Sequence, residues 1–230
     1  NRGTGYSTHS SAARALRLIT LYGDNILLRH QADWISGWLA SNWKYGEESN
    51  NLRLGWDIIN KTWPKTFSNC KWIKSLPEIV SSGTFLSTIS NNISKELNLP
   101  KNLAVIAGTT DSNAGVLASF AKKNEGITIL GSTIVIKQFA THPVQAKGIS
   151  NHQLMGDWLC GGASNAGGAV LRKFFNDDLI AELSKQINPS KDTGIKLLPL
   201  PSKGDRFPIE DPNLEPILEP RPISDAKYLH

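Results

Sequence analysis

Apolar and polar positions follow two different rhythms along this chain. From Ser10 to Leu21 the spacing is helical, with Ala15, Leu16, Ile19 and Thr20 on one face and a serine at the start able to cap it. Ala32 to Ala40 predicts a second helix, in which Trp34, Ile35, Trp38 and Leu39 form one stripe read as core rather than as a stacking platform. Tyr45 to Trp63 is polar and ends at Pro64, so it reads as loop plus a short helix. Phe85 to Ile89 is β-like, and Ser94 to Leu97 reads as a helix stopped by Leu99-Pro100. Leu103 to Ile106 then reads as a buried strand, followed by a Gly-Thr-Thr turn and a helix over Val116 to Ala121.

After the polar break Lys122-Lys123-Asn124-Glu125-Gly126 the rhythm changes to alternation. Ile127 to Leu130 and Ile134 to Ile136 read as two strands joined by the tight turn Gly131-Ser132-Thr133. His152 to Gly156 and Trp158 to Cys160 look like further strands, and the glycine-rich stretch Gly161 to Gly168 is expected to open a helix from Ala169 to Phe175. Seven of the twelve prolines fall between Pro199 and Pro222, so the tail is expected to be extended and loop-like. The expected division is into 1–123 and 124–230.

Composition narrows the function without deciding it. The 230 residues, 40% apolar and 20% charged, have the composition expected of an ordinary soluble protein, and no run is long enough to cross a membrane. The net charge of +5 is scattered, without the basic stripe and interleaved aromatics of a nucleic-acid surface, so neither nucleic acid nor membrane is an expected partner. Two distant cysteines, Cys70 and Cys160, form neither a CxxC pair nor a disulfide framework. They fit a reducing compartment, the cytoplasm or, in a eukaryote, the plastid. The polar start, Asn1 to Gly5, and the end at Tyr228-Leu229-His230 both read as cut, so the chain is expected to be a segment of a longer protein.

The candidate chemistry sits in three places. Asp111 follows the Gly-Thr-Thr turn at a strand-to-helix connection, where ligands and catalytic groups collect in open α/β sheets. A lone carboxylate there is either a general base or a helix cap. Gly131-Ser132-Thr133 is either an ordinary hairpin turn or a phosphate grip made of N–H groups and hydroxyls. Gly161 to Gly168 has P-loop-like glycine spacing but lacks the Lys and Ser/Thr of that motif, leaving close ligand approach or simple packing as its two readings. No histidine or cysteine spacing suggests a metal site made of protein ligands.

Taken in order, these pieces resemble the FGGY family of carbohydrate kinases. The matching stretches are Gln31-Ala32-Asp33-Trp34, Asn50 to Asp57, Ala107-Gly108-Thr109-Thr110-Asp111, Leu130 to Thr133, Gly161 to Leu171 and Gly204 to Ile209. Within the family the likeness is to the D-ribulose/xylulose kinase-like branch of cyanobacteria and plants. The resemblance implies an actin-like, ribonuclease-H-like two-domain α/β ATPase fold, incomplete at both ends. Residues 1–123 would be the end of the sugar-binding domain and 124–230 the start of the nucleotide-binding domain. It implies ATP and Mg²⁺ as cofactors and a sugar as substrate, a ketopentose such as D-ribulose or D-xylulose. Asp111 would be the catalytic base. Gly131, Ser132 and Thr133 would face the transferring phosphate, and Gly161 and Gly162 would lie at a turn near the nucleotide. The family's first Asp-bearing hairpin and its adenine site would fall outside 1–230. Two rival readings are a truncated kinase-like protein that binds sugar or a partner without phosphoryl transfer, and an actin-like assembly protein.

Overall fold

The structure, a computed structural model, describes residues 10–230. Asn1 to Gly5 and His9 lie outside the described residues. Contacts divide the chain into two compact units, Asn1–Phe120 with His152–Trp158, and Ala121–Asn151 with Leu159–His230.

The first unit opens with α1 (Ser11–Tyr22), whose N-cap Ser10 accepts the Ala13 N–H as its sequence predicts. Helix α2 (Gln31–Ala40) follows, and half of its expected stripe faces the core: Trp38 and Leu39 pack against Ile89, Ile93 and Val105, whereas Trp34 and Ile35 do not. Trp34 and Ile35 are 52% and 45% exposed, while Asp33 and Gly37 are the buried positions. The reason is local: Trp43 packs over Gly37, where any Cβ would collide with its ring, and the Trp43 indole donates to the Trp34 carbonyl. The stretch read as loop plus a short helix contains that helix, α3 (Glu48–Asn51), and a 3₁₀ turn at Leu52–Leu54, and also an unexpected strand, β1 (Tyr45–Glu47). After α4 (Lys65–Ser68) and a second 3₁₀ turn, β2 (Glu78–Val80) pairs in parallel with β1.

Strand β3 (Phe85–Thr88) pairs antiparallel with β4 (Ala104–Ile106), with α5 (Asn91–Glu96) between them under a Ser90 cap. The expectation of a buried strand at 103–106 is corrected here. β4 has one strand neighbour among the described residues and only Val105 is buried, so Ala104 and Ile106 face outward. Two small cores result: Ala15, Leu28, Leu54 and Leu76, and separately Ile89, Ile93 and Val105. Helix α6 (Asp111–Ala118) closes the unit and starts five residues earlier than the apolar pattern suggests.

A four-stranded sheet is ordered β5-β6-β8-β7, from β5 (Gly126–Leu130), β6 (Ile134–Ala140), β7 (Ser150–Leu154) and β8 (Asp157–Ser164); β5, β6 and β8 from Leu159 onward belong to the second unit. β5 and β6 pair antiparallel from Gly126↔Gln138 to Leu130↔Ile134, as expected for two strands joined at 131–133. Met155 and Gly156 link β7 to β8 with φ of 53° and 85°, the mirror-turn geometry that suits strand twist. Gly168–Lys173 is a 3₁₀ turn rather than a full helix, and α7 (Asp177–Ser184) and α8 (Asp225–Leu229) follow. Phe175, Leu183 and Tyr228 form the core between these helices. The Arg221 guanidinium stacks 5.1 Å from the Tyr228 ring centroid.

Candidate active site

In the first unit, β4 leads into Ala107, whose N–H and carbonyl are tied to Thr84 and Gly83 at 2.8 Å each. Gly108, Thr109 and Thr110 turn the chain, and Asp111 is the first helical residue of α6. The cap position belongs to Thr110, in extended geometry at φ −71° and ψ 152°, so Asp111 is not the helix cap. Its side chain is exposed; Oδ1 accepts the Ser112 N–H at 2.6 Å, and no other hydrogen bond to it is formed among the described residues.

Behind the turn, the fully buried Asn113 donates from Nδ2 to Thr109 Oγ1 and to Ser49 Oγ, each at 3.3 Å. Ser49 lies on α3, which is itself tied inward. The Asn51 side chain donates to Asp33 Oδ2 at 3.0 Å and to the Glu47 carbonyl at 2.8 Å, and the Glu47 N–H donates to Asp33 Oδ1 at 2.9 Å. A cavity of about 130 Å³ in this unit is lined by Asp33, Ser36, Tyr45, Glu47, Asn50 and Gly108, among others. Burial pushes both the Asp33 and the Glu47 carboxyls up from their ordinary values, against the hydrogen bonds each accepts. Glu48, also buried, is paired with Lys61.

In the second unit, Gly131-Ser132-Thr133 forms the tight turn between β5 and β6, closed by the Gly131 N–H donating to the Thr133 carbonyl at 3.1 Å. A second segment clasps it. Gly168 donates to the Gly131 carbonyl at 2.8 Å, Ala169 to that of Ser132 at 3.2 Å, and Ile134 to that of Ala166 at 2.9 Å. A Cβ on Gly167 would lie 2.8 Å from the Ser132 carbonyl oxygen, so the clasp requires glycine there. The Ser132 and Thr133 hydroxyls make no hydrogen bond among the described residues. A Cβ on Gly131 would have one neighbour, the Thr133 carbonyl oxygen at 3.6 Å, so there is space beside the turn although the Gly131 N–H and carbonyl are both bonded within the protein. Free hydroxyls at a turn with space beside it fit a phosphoryl group.

Gly161 and Gly162 are not in a turn. Both lie within β8, where a Cβ on Gly161 would strike the Ile136 carbonyl and one on Gly162 the Phe207 ring. Their smallness admits neighbouring protein, as does that of Gly167 beside Ser132. Asp205 holds the end of β8. Its carboxylate accepts Ser164 Oγ–H at 2.7 Å and the Asn165 and Arg206 N–H groups at 2.8 Å each. Burial raises its pKa, but these hydrogen bonds outweigh burial and hold it below the ordinary carboxylate value. Asp205, Asn113 and Ser49 were not singled out by the sequence reading. The Gly204-Asp205-Arg206 stretch was noted only as part of the resemblance.

No group of three or more His, Cys, Asp or Glu side chains among the described residues is arranged to hold a metal ion. No helix among them is long and apolar enough to cross a membrane. Cys70 and Cys160 are both free.

This architecture is the actin-like ATPase fold. Xylulose kinase of Lactobacillus acidophilus superposes with a TM-score of 0.74 at 15% identity, over 99% of this chain and 50% of that one. A xylulose kinase of Brucella ovis gives 0.76 at 16% identity over 95% and 48%. Glycerol kinase of Plasmodium falciparum, solved with ADP, gives 0.71 at 15% over 99% and 50%. In fold, then, the chain resembles the FGGY carbohydrate kinases, and it spans about half the length of these structures. YoaC of Bacillus subtilis (strain 168), provisionally named a sugar kinase, is 26% identical over 133 residues, 56% of this chain and 27% of that protein. No family model matches the chain.

Proposed function

We propose that the protein containing this chain transfers the γ-phosphoryl group of ATP to a sugar hydroxyl, that of a ketopentose such as D-ribulose or D-xylulose. The observation that carries this reading is Asp111: an exposed carboxylate at the first position of a helix, in a fold otherwise found in sugar kinases. Asp111 takes the proton from the sugar hydroxyl, and the freed oxygen attacks the terminal phosphorus as its bond to the β–γ bridging oxygen breaks and ADP leaves. Phosphoryl transfer needs little covalent chemistry from the protein, so orientation and charge neutralisation dominate. In this reading the first unit serves the sugar and the second the nucleotide. Ser132 and Thr133 grip phosphate oxygens with their hydroxyl donors, and the missing side chain of Gly131 leaves room for the phosphate to approach. When bound, Mg²⁺ neutralises charge on those oxygens and is carried by the nucleotide rather than by a cage of side chains. Gly161 and Gly162 contribute by letting β8 approach β6 and Phe207, which keeps the strand leading to the Gly167-Gly168 clasp in place. The reaction belongs in the cytoplasm, or in the plastid of a eukaryote.

The test is ADP release by the complete polypeptide across ketoses, aldoses and polyols, with Asp111→Asn beside the wild type. The variant is expected to lose about 10²–10⁴-fold in kcat, the usual contribution of a general base, while sugar KM stays within a few-fold. Wild-type kcat in Asp111→Asn removes the assigned role, and the absence of sugar-dependent ADP release with every substrate class removes the kinase reading.

A further inference from the structure

Asp111 is presented by a turn that the helix holds through its backbone, the Asn113 and Ala114 N–H groups donating to the Thr110 carbonyl at 3.0 and 2.9 Å. Among the described residues Thr110 makes no side-chain cap, and the Asp111 carboxylate engages only its neighbour's N–H. The side-chain restraint comes from behind. Asn113 is fully buried and spends its amide group on two hydroxyls, Thr109 before the carboxylate and Ser49 on α3. An amide NH₂ has two protons to donate, and both are used. Thr109 and Asn113 flank Asp111 by two residues on each side, so one side chain clamps both ends of the segment bearing the carboxylate. Its far anchor is also fixed. Ser49 is buried, and α3 is held by the fully buried Asn51 through Asp33 and the Glu47 carbonyl.

We infer that Asn113, with Ser49 and Thr109, positions the catalytic carboxylate, an inference that rests on Asp111 being the base. Asn113 touches no substrate; it acts by limiting where Asp111 sits. Misplacing a reacting group by about 1 Å can cost as much as 10²-fold in rate, so an effect on turnover without one on binding is the signature.

Asn113→Ala would leave a cavity at a fully buried position, so the decisive variants are Ser49→Ala and Thr109→Val, with Ser49→Thr and Thr109→Ser as hydroxyl-keeping rescues. In the complete polypeptide, kcat is expected to fall about tenfold in each hydroxyl-deleting variant and to return within about threefold in each rescue. Sugar KM should change less than twofold, and the pH profile of kcat should keep its shape at a lower plateau. Backbone hydrogen exchange over residues 108–114 should rise about tenfold in Ser49→Ala relative to wild type, a readout that needs no activity. Unchanged exchange in this segment overturns the clamp. So does kcat within twofold of wild type in both deletions while Asp111→Asn is inactive, and in that case the base assignment survives. If Asp111→Asn keeps full turnover, the base assignment falls and the inference about turnover falls with it, whatever the exchange shows.

Discussion

Replacing Asp205 by Asn should loosen the second unit in a way that depends on pH. The carboxylate receives three donors: Ser164 Oγ–H on Oδ2, and the N–H groups of Asn165 and Arg206 on Oδ1. Asn keeps an acceptor oxygen for the two N–H groups but sets an NH₂ against Ser164 Oγ, which already accepts the Ala166 N–H at 3.0 Å. The serine proton loses its acceptor, and two charge-assisted bonds become neutral. Hydrogen bonds to charged groups contribute about 1.5–3 kcal/mol each in net terms, and an isosteric change forfeits part of that, so we expect about 2 kcal/mol. For a chain of this length that is roughly a 4–8 °C fall in Tm.

The direction with pH follows from the carboxyl's depressed pKa. Its contribution is fully present above the unfolded value, near the ordinary 3.8, and is lost as pH falls through the still lower folded value. Wild type and Asp205→Asn should therefore differ by a constant amount from pH 5 to 8 and converge in strong acid. Thermal melts followed by circular dichroism at closely spaced pH values measure this. Ser164 connects through Ala166 to the Ile134 N–H beside the Gly131-Ser132-Thr133 turn, so if that turn grips phosphate as proposed, the KM for ATP should also rise. A Tm within 1 °C of wild type at pH 7, or a Tm deficit undiminished at the acid end, would refute the reasoning.

Two further perturbations test the packing and the electrostatics independently. Gly162→Ala drives a methyl into the Phe207 ring and to 2.9 Å from the Gly148 carbonyl oxygen, so overpacking should lower stability by about 1–3 kcal/mol. An unchanged urea midpoint would mean that β8 and the tail do not meet as described. Glu47→Gln removes a carboxyl whose pKa burial raises, so wild-type stability should fall as pH climbs from the ordinary 4.5 through the raised value, and the variant should show a shallower fall. Some slope should remain, because Asp33 is shifted in the same direction. Thermal melts from pH 4 to 7 with equal slopes for the two proteins would contradict the assignment.

What the sequence disclosed and what it concealed divide along a physical line. The Ser10 cap and α1, the β5–β6 hairpin and its Gly131-Ser132-Thr133 turn were legible because each is written in neighbouring residues: a capping hydroxyl, a helical repeat, two alternating runs around a glycine. Asp111 was legible for the same reason, at the join of an apolar run and a helix. β1 and β2 were concealed because each is three residues long and its partner lies about thirty positions away, where no local period can point. Glu47 hid β1 further, since a buried charged residue reads as surface until its partners Ser82 and Asn50 are seen. Gly161 and Gly162 misled because glycine writes the same letter for a turn and for a strand pressed against its neighbour; only the Ile136 carbonyl and the Phe207 ring tell them apart. The supports of the candidate site belong to the concealed class. Asn113 meets Ser49 across 64 residues and Asp205 meets Ser164 across 41. The exposed groups available for chemistry are thus announced by local sequence, while the groups that aim them depend on contacts between distant segments. The clamp on Asp111 and the Asp205 latch are accordingly where substitutions far from the reacting atoms should alter turnover and ATP affinity.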